Sequence, residues 1–323
     1  MKNFTIDAAD EGTRLNRWLQ KQVPSLPGTL MYRYLREKKI KLNGKRCESS
    51  SRLTAGDLLE LYIDDEFFLQ PKRAPDFMRA SSALDIVYED TNIAALRKPA
   101  GLLVHADKEE YVDTLVSRFL RKLYERGEYD PADGAAFTPA VCNRLDRGTD
   151  GIVLAGKSAI AVRELGEMIK RRVIDKRYLC VCSGKIPADG RYRAFLQKNE
   201  RSNTVSVFET QVSDSKEIVT DFKTLERKDG LALVEAGLIT GRPHQIRAHL
   251  AHLGAPIAGD SKYGNDTLNR TLGERSQLLC AYKILFNLDD ESLTGPLGYL
   301  DGKIITLREV AFARRYFGAV NLP

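Results

Sequence analysis

Cysteine is scarce in this sequence, and long apolar runs are missing from it. Five cysteines occur in 323 residues, and this odd number, without any Cys-x-x-Cys spacing, favours neither a disulfide framework nor a cysteine-bound zinc. No stretch reaches the roughly 18 uninterrupted apolar residues that a membrane-spanning helix needs. The N-terminal MKNFTIDAADEGTRL also lacks the apolar core of a signal peptide. We therefore expect a soluble, cytoplasmic protein with no membrane partner.

Sequence motifs for cofactors are missing as well. The chain contains no P-loop, dinucleotide fingerprint or EF-hand pattern. Three histidines cluster at positions 244, 249 and 252, but the first two are five residues apart, which places them on nearly opposite faces of a helix. Zinc peptidases instead carry two histidines four residues apart with an acid between them. We expect neither a metal ion nor another cofactor.

Positive charge is concentrated at the N-terminal end. The net charge is +6, from 50 lysines and arginines and 44 aspartates and glutamates. Residues 1–50 hold 11 of these basic and 5 of these acidic side chains, which accounts for the whole excess. A basic region attached to a neutral body is typical of proteins that bind a polyanion such as RNA or DNA, although charge alone fits a solvated surface equally well.

The N-terminal region predicts a small module of two helices and a hairpin. Apolar residues recur at helical spacing in two stretches between residues 13 and 38, separated by the breaker-rich VPSLPG. Asn43-Gly44 is a strong hairpin signal, and RLTAGDLLELYI predicts a closing strand. This arrangement resembles the S4 RNA-binding domain over roughly residues 13–63. The basic residues that share the first helix are Arg14, Arg17 and Lys21.

Beyond this module the sequence predicts a larger domain of the α+β class. Strand-like runs such as DIVYED, GIVLAGK and RYLCVCSG, with DG turns between them, favour a mixed, largely antiparallel sheet over regular βαβ units. Two helices are expected, one capped by Ser158 and one that starts at Pro243 and ends before Gly254. The expected boundaries are residues 1–63 for the S4-like domain, 64–83 for a linker and 84–323 for the larger domain.

Three separated segments are more polar than core packing requires. They are ALRKPAGLLVHAD at residues 95–107, NRLDRGTDG at 143–151 and GRPHQIRAHLAHLGAPIAGDSKYG at 241–264. In the second segment Asp146 lies close to the apolar run IVLAG, and a carboxylate in apolar surroundings needs a nearby cation to stay charged. Arg144 and Arg147 are adjacent in sequence, but side chains that flank a tight turn often point elsewhere, and the helix of Arg247 could bring the cation from another part of the chain. The pairing either keeps Asp146 ready to act as a nucleophile or base, or only fastens a turn to a helix.

In this order and spacing the segments resemble the signatures of the RluA-type pseudouridine synthases. The corresponding motifs here read RKPAGLLVH, NRLDRGTDG, GRPHQIRAH and GDSKYG, and the resemblance extends from about residue 84 to the C-terminus. Members of this family convert uridine to pseudouridine in RNA by breaking the N-glycosidic bond, turning the uracil and joining C5 to C1′. The resemblance implies the pseudouridine synthase fold, an N-terminal S4 domain as a frequent companion, and no cofactor.

The resemblance also implies roles for individual residues. It makes Asp146 the essential carboxylate, which attacks C1′ or, in a competing proposal, removes the 2′ proton to give a glycal. Tyr178 matches the tyrosine that stacks on the base and assists proton removal at C5, and Arg247 matches the arginine that pairs with the catalytic carboxylate. Arg144 matches the arginine that fills the gap left by the extruded uridine. The expected RNA-binding residues are Arg144, Arg147, Lys98 and His244, together with Arg14, Arg17 and Lys21.

The identity of the RNA is a separate question. The resemblance favours large-subunit ribosomal RNA as the partner, while tRNA-directed members share the same motifs. A monomer is only the default expectation. A non-catalytic RNA-binding protein of the S4 type would explain the basic N-terminus but not the three polar segments. A glycosidase would need two carboxylates that flank the bond, and Asp146 has no partner acid unless Asp150 or Asp260 folds close to it.

Four positions depart from the family pattern. Arg97 stands where asparagine is usual, Asn143 where histidine is usual, Asp150 where serine is usual, and Pro243 where threonine is usual. All four flank the expected site residues without replacing them, so they bear on substrate choice more than on catalysis. Asp150 in particular adds negative charge near a loop that is expected to face RNA.

Overall fold

A computed structural model describes residues 1–68, 75–107, 110–131, 137–199, 204–320 and 322. Residues 1–68 form a small sheet with two helices. The bounds there are Lys2–Thr5 (β1), Leu15–Gln22 (α1), Gly28–Arg36 (α2), Ile40–Leu42 (β2), Lys45–Arg46 (β3) and Leu58–Leu61 (β4). The strands pair antiparallel in the order β1-β4-β2-β3. Helices and sheet enclose a hydrophobic core of their own, and we call residues 1–63 the N-terminal module.

The N-terminal module contacts the rest of the chain through Asp10 and Lys21. Asp10 is buried and accepts hydrogen bonds from Trp18 Nε1 (3.0 Å) and from the backbone N–H of Phe137. Lys21 donates from Nζ to the Phe137 carbonyl (2.8 Å) and lies over the Tyr129 ring. Burial at this contact lowers the pKa of Lys21 to about 8. Lys21 therefore serves the contact between the two parts of the chain.

The predicted linker, residues 64–83, is irregular where the structure describes it. It contains two short 3₁₀ turns, Asp65–Phe68 and Asp76–Arg79, and its residues 69–74 lie outside the described ranges.

Within all the residues that the structure describes, no helix combines the length and the apolar character needed to cross a membrane.

The larger part of the chain is built on one extended sheet. Its strands are Asp85–Glu89 (β5), Ile93–Lys98 (β6), Ala140–Val141 (β7), Asp150–Gly156 (β8), Ile174–Ser183 (β9), Gly190–Asn199 (β10), Thr204–Phe208 (β11), Lys216–Lys228 (β12), Leu231–Leu238 (β13), Leu279–Phe286 (β14) and Ile304–Thr306 (β15). The main order is β11-β10-β12-β13-β9-β14-β8-β6-β5, with β7 beside β8 and β15 beside β14. Among the strands of the described residues, only β8 and β14 pair in parallel. The prediction of a mixed, largely antiparallel sheet in an α+β fold is confirmed.

Helices cover both faces of this sheet. Their bounds are Leu115–Glu125 (α3), Ala159–Arg171 (α4), Gln245–His252 (α5), Asp266–Leu272 (α6), Asp290–Leu293 (α7) and Ala311–Phe317 (α8). One hydrophobic core joins α4 and α8 to the first face, and two others join α3 and α5 to the second. Because side chains alternate along β9, Leu179 packs in the first core while Tyr178 and Cys180 pack in the second. Tyr178 therefore shares a face of the sheet with α5.

Both predicted helices of the larger domain are present, but one begins later than expected. Ser158 caps α4, as predicted, by accepting a hydrogen bond from a backbone N–H of the first turn. Helix α5 begins at Gln245 and not at Pro243. The reason is that His244 has a left-handed backbone, with φ of 55°, which a right-handed helix cannot include.

Candidate active site

Asp146 lies in the turn that leads into β8. The backbone N–H of Thr149 donates to the Asp146 carbonyl (3.0 Å), which closes the turn. Strand β8 then runs so close to β14 that a Cβ added at Gly151 would lie 2.4 Å from the backbone nitrogen of Ala281. Gly151 also has a φ of +128°, so both space and backbone conformation require glycine there. The turn leaves the Asp146 side chain 28% exposed.

Arg247 joins Asp146 to a second carboxylate, which is fully buried. Its Nη1 donates to Asp146 Oδ2 (2.8 Å), so the structure brings together the pair expected from the sequence. Its Nε and Nη2 donate to the two oxygens of Asp260, at 2.7 and 2.8 Å. Asp260 also accepts the backbone N–H groups of Lys262 and Tyr263. Asp260 thereby fixes the plane of the Arg247 guanidinium, and the remaining nitrogen, Nη1, is left to donate to Asp146.

The charges of Arg247 and its two carboxylates stabilise one another despite burial. Burial acts to lower the pKa of Arg247, but the hydrogen bonds to Asp260 and Asp146 outweigh it and hold that pKa above its ordinary value. Burial acts to raise the pKa of Asp260, and the Arg247 guanidinium outweighs it, so that this pKa lies below its usual range. Within the described residues, Asp146 Oδ1 receives no hydrogen bond. One carboxylate oxygen is therefore held, and the other is open to a reactant.

His244 and Tyr263 form a second polar layer beside Asp146. The His244 ring places Nδ1 2.8 Å from Tyr263 Oη and Nε2 4.0 Å from Asp146 Oδ2. Tyr263 Oη also accepts the backbone N–H of Val205 (2.8 Å), and the Arg247 guanidinium lies over the Tyr263 ring. These contacts turn the imidazole toward the carboxylate, so an RNA contact by His244 would have to be made inside the site.

Tyr178 approaches the site from β9. Its side chain is almost completely buried, in the same core as Ile246 and Ala281. Burial, and after it the Asp146 charge, raise the pKa of the Tyr178 hydroxyl well above its ordinary value. The phenol therefore stays protonated near Asp146, and it offers an aromatic ring and a hydrogen-bond donor.

This arrangement can supply a nucleophile or a base, but not two acids that flank a bond. Both oxygens of Asp260 are taken by Arg247 in a buried position, so Asp260 cannot act as a partner acid of Asp146. Asp150 is paired with Arg97. The geometry therefore disfavours a glycosidase. The described part of the chain also contains no group of three or more histidine, cysteine, aspartate or glutamate side chains that could hold a metal ion.

Comparison with known proteins assigns this site to a family. The family model described as RNA pseudouridylate synthase matches residues 92–252, which include Asp146, Tyr178 and Arg247. Ribosomal large subunit pseudouridine synthase C of Rickettsia bellii is 34% identical over 268 residues, or 79% of this chain and 84% of that protein. The protein of the same name from Escherichia coli K12 is 32% identical over 284 residues, or 85% of this chain and 83% of that protein. The chain belongs to the RNA pseudouridine synthase family.

The chain is thus an RNA pseudouridine synthase, an isomerase that acts on RNA. Solved structures agree on the fold. Human RNA pseudouridylate synthase domain containing 1 has a TM-score of 0.52 at 23% identity, over 68% of this chain and 82% of that one. The human domain containing 4 protein has a TM-score of 0.50 at 21% identity, over 62% of this chain and 83% of that one.

Lys98 of the synthase is buried and does not face RNA as expected. Its Nζ donates to the carbonyls of Pro99, Leu102 and Arg147, at 2.8 to 2.9 Å. No part of the residue is exposed, and burial lowers the pKa of Lys98 to about 8. All three ammonium protons are used within the chain. The expectation of a direct RNA contact is therefore corrected: Lys98 ties the loop that follows β6 to the turn of Asp146.

Arg144 and Arg147 of the synthase flank Asp146 and are both exposed. Arg147 donates from Nε to the Gly101 carbonyl (3.2 Å), so part of its side chain holds the loop that Lys98 also contacts. Burial lowers the pKa of His105, and the Arg144 charge lowers it further. Exposure is compatible with RNA binding by both arginines, which stays a prediction.

The predicted cations of the N-terminal module fall into two groups. Arg14 and Arg17 are exposed on and beside α1. Lys21 is instead half-buried against Phe137, because its ammonium is bound to that carbonyl. This corrects the expectation that all three basic residues of the helix face RNA.

Two of the four departures from the family pattern compensate each other in the synthase. Arg97 donates from Nε and Nη2 to the two oxygens of Asp150, at 3.2 and 2.9 Å, and the pair lines a cleft of ≈ 570 Å³. Asp150 therefore does not add an unpaired charge. Asn143 Oδ1 accepts the backbone N–H of Leu154 (2.8 Å) and ties the turn to β8, while Pro243 is exposed.

Sequence reasoning misses the supporting roles of Asp260 and Tyr263. It marks Asp260 only as a possible second acid, and it gives Tyr263 no role. Both lie in GDSKYG, one of the motifs that carry the resemblance, so the signal is present. Their contacts with Arg247 and His244 depend on tertiary structure, which a linear motif does not display.

Proposed function

We propose that this synthase isomerises specific uridines of large-subunit ribosomal RNA, with Asp146 as the essential carboxylate. The role of Asp146 is supported by the different hydrogen bonding of its two carboxylate oxygens. Arg247 holds Oδ2 at 2.8 Å, while Oδ1 receives no hydrogen bond among the described residues. A charged, oriented carboxylate with one open oxygen is suited to attack at C1′ of the uridine, or to removal of the 2′ proton.

The proposed reaction needs no external reactant. The N1–C1′ bond breaks, the uracil turns, C5 bonds to C1′, and the proton lost from C5 balances the proton gained at N1. Tyr178 would stack on the uracil from the protein side. Its raised pKa favours a phenol that stacks and donates a hydrogen bond over a phenolate that removes the C5 proton. Arg144, exposed next to the site, would occupy the gap left by the extruded nucleotide.

Ribosomal RNA is favoured by the names of the relatives. The similar proteins of Rickettsia bellii and Escherichia coli are both named ribosomal large subunit pseudouridine synthase C. A tRNA-directed synthase of the same family is the alternative. We further propose that the N-terminal module is an S4-type RNA-binding domain, supported by its two helices on an antiparallel sheet and by the exposed Arg14 and Arg17.

The experiment that tests this proposal compares RNA classes directly. The purified full chain is incubated with unmodified transcripts of large-subunit ribosomal RNA and, separately, of tRNAs, and pseudouridine is mapped by chemical labelling and reverse transcription. We expect pseudouridine at a few discrete uridines of the ribosomal RNA and none in the tRNAs. Modification of tRNA alone would replace the ribosomal target with the tRNA-directed alternative.

A further inference from the structure

The imidazole of His244 faces Asp146 without touching it. Its Nε2 lies 4.0 Å from Asp146 Oδ2, which is beyond hydrogen-bond distance, and the side chain is 11% exposed. Among the described residues, Nε2 has no hydrogen-bond partner. A nearly buried polar atom that points into a site without a partner is a position where a ligand atom can bind.

Two hydrogen bonds fix which nitrogen of His244 carries the proton. The backbone N–H of Val205 can only donate, so Tyr263 Oη accepts that bond (2.8 Å). Among the described residues the hydroxyl proton of Tyr263 has no acceptor other than His244 Nδ1, 2.8 Å away, so it is directed there. Nδ1 is therefore an acceptor, and the neutral ring carries its proton on Nε2, the atom that faces Asp146.

The surroundings keep this ring neutral. Burial lowers the pKa of His244. The Asp146 charge opposes that effect, the charges of Arg247 and Lys262 reinforce it, and the Asp260 charge opposes it; the net direction is down from the ordinary value. At neutral pH the imidazole is therefore a donor at Nε2 only.

The separation of His244 Nε2 and Asp146 Oδ2 suits a single oxygen atom that bridges them. An oxygen about 2.8 Å from both Nε2 and Oδ2 closes a triangle on their 4.0 Å separation, with an angle of about 90° at that oxygen. Because Nε2–H donates and the carboxylate accepts, this oxygen must accept on one side and donate on the other. A hydroxyl does both, whereas carbonyl, ether and ionised phosphate oxygens only accept. An internal RNA nucleotide has one hydroxyl, the ribose 2′-hydroxyl.

We propose that His244 donates a hydrogen bond from Nε2 to the 2′-hydroxyl oxygen of the target uridine, which in turn donates to Asp146 Oδ2. The inference rests on the proposed role of Asp146. The two hydrogen bonds fix the ribose at the carbon next to C1′, while Oδ1 of Asp146 stays open for the reaction. They also give the site a means to discriminate RNA from DNA at the reacting nucleotide.

Two substitutions separate the functions of the two ring nitrogens. His244→Gln keeps an N–H donor near the position of Nε2. His244→Asn keeps only a polar group near Nδ1, and asparagine tolerates the left-handed backbone at this position. His252→Gln, exposed on the same helix, is the matched control. Each enzyme is assayed under single-turnover conditions on RNA fragments with uridine or 2′-deoxyuridine at the mapped position.

The rates of these enzymes on the uridine and 2′-deoxyuridine substrates test the proposed hydrogen bond. For the unaltered enzyme, for His252→Gln and for His244→Gln, we expect 2′-deoxyuridine to lower the rate about 10- to 100-fold. We expect His244→Asn to lower the uridine rate by a similar factor and to reduce the sensitivity to the 2′-hydroxyl, with the remaining sensitivity due to the hydrogen bond from the hydroxyl to Asp146. Effects of deoxyribose on sugar pucker are common to all enzymes and cancel in this comparison. A His244→Asn enzyme as sensitive to 2′-deoxyuridine as the unaltered enzyme overturns the proposal.

Failure of the underlying mechanism is distinguishable from failure of this inference. If Asp146→Asn forms pseudouridine, the proposed role of Asp146 fails. If Asp146→Asn is inactive while His244→Asn keeps full sensitivity to the 2′-hydroxyl, only the role of His244 fails.

The tautomer can also be measured without any activity assay. The chain has four histidines, so ¹⁵N-histidine labelling gives a simple long-range nitrogen spectrum in which His244→Gln identifies the ring. We expect Nε2 to be protonated and Nδ1 to be unprotonated, and we expect Tyr263→Phe, which removes the donor to Nδ1, to give a mixture of tautomers. A proton on Nδ1 in the unaltered protein contradicts the proposal.

Discussion

Arg97 and Asp150 form a two-point ion pair beside the turn of Asp146, at two positions where the family pattern usually carries neither charge. The side chains are 30% and 20% exposed, and hydrogen bonds to Asp150 hold the pKa of Arg97 above its ordinary value. The pair explains how a second carboxylate can lie near Asp146 without adding an unpaired charge. The two departures from the family pattern are therefore the two partners of a single ion pair.

The losses in free energy of unfolding from the two single substitutions in this pair should therefore add up to more than the loss from the double substitution. We expect Arg97→Asn and Asp150→Ser each to lower the free energy of unfolding, and the double variant to recover about 0.5 to 1 kcal/mol relative to their sum. Denaturant unfolding of all four proteins measures this coupling. Arg191 and Asp221, 56% and 25% exposed, form the control pair, for which we expect a smaller value. Strictly additive losses at Arg97 and Asp150 would refute the coupling.

Asp260→Asn should weaken both the fold and the reaction. The amide removes one acceptor and the negative charge from the buried guanidinium, so Arg247 is no longer held firmly against Asp146. We expect the free energy of unfolding to fall by about 3 kcal/mol or more, and kcat to fall about 10-fold or more with little change in KM. Asp266→Asn, exposed at the start of α6, should change neither. An unaltered kcat in Asp260→Asn would mean that Arg247 is positioned without it.

His249 should make stability depend on pH. Thr220 Oγ1 accepts a hydrogen bond from Gln245, and among the described residues its own proton has no acceptor other than His249 Nδ1. Burial lowers the pKa of His249 from 6.5 to about 4. Between these values the unfolded chain binds a proton that the folded chain does not. The free energy of unfolding should therefore be highest above pH 6.5 and fall as the pH drops to 4, by at most about 3 kcal/mol.

Substitution of His249 tests that assignment. His249→Asn keeps an acceptor near Nδ1 but cannot titrate in this range. Denaturant unfolding measured at several pH values should show a flatter profile between pH 6.5 and 4 for this variant than for the unaltered protein. Identical profiles would assign the pH dependence to other groups.

The exposed arginines of the N-terminal module should contribute to RNA affinity by binding phosphates. We expect the double variant Arg14→Gln/Arg17→Gln to weaken binding and to reduce the slope of log K against log salt by about 0.7 to 0.9 for each phosphate that is no longer neutralised. Binding titrations at several salt concentrations measure the slope. Lys216→Gln/Lys223→Gln, exposed on β12, is the charge-matched control. Equal slopes for the two double variants would remove any special role of α1.

The sequence predicts the pairing of Asp146 with Arg247 because an aspartate close to an apolar run requires a cation, and the family motifs supply the partner. It cannot predict how Arg247 is itself held. Asp260 is 13 residues away, and only the fold brings both of its oxygens onto the guanidinium. Nor can it predict that Lys98 uses all three protons on backbone carbonyls, because carbonyl directions depend on loop conformation.

Backbone geometry accounts for the remaining differences. The sequence predicts the start of α5 at Pro243 because proline favours a first helical position, yet the left-handed backbone at His244 delays the helix by two residues. The Arg97–Asp150 pair joins two segments 53 residues apart, and it is visible from the sequence only as two separate departures.

The proposed function rests on Asp146 as the reacting group, and the variant Asp146→Asn removes that group alone. The amide keeps the size of the side chain but removes its charge and its nucleophilic oxygen pair. The measurement is pseudouridine formation in large-subunit ribosomal RNA, alongside RNA affinity and thermal unfolding of the same preparation. We expect no detectable pseudouridine, with RNA binding and folding largely retained. Pseudouridine formed at the same positions by Asp146→Asn would contradict the proposed function.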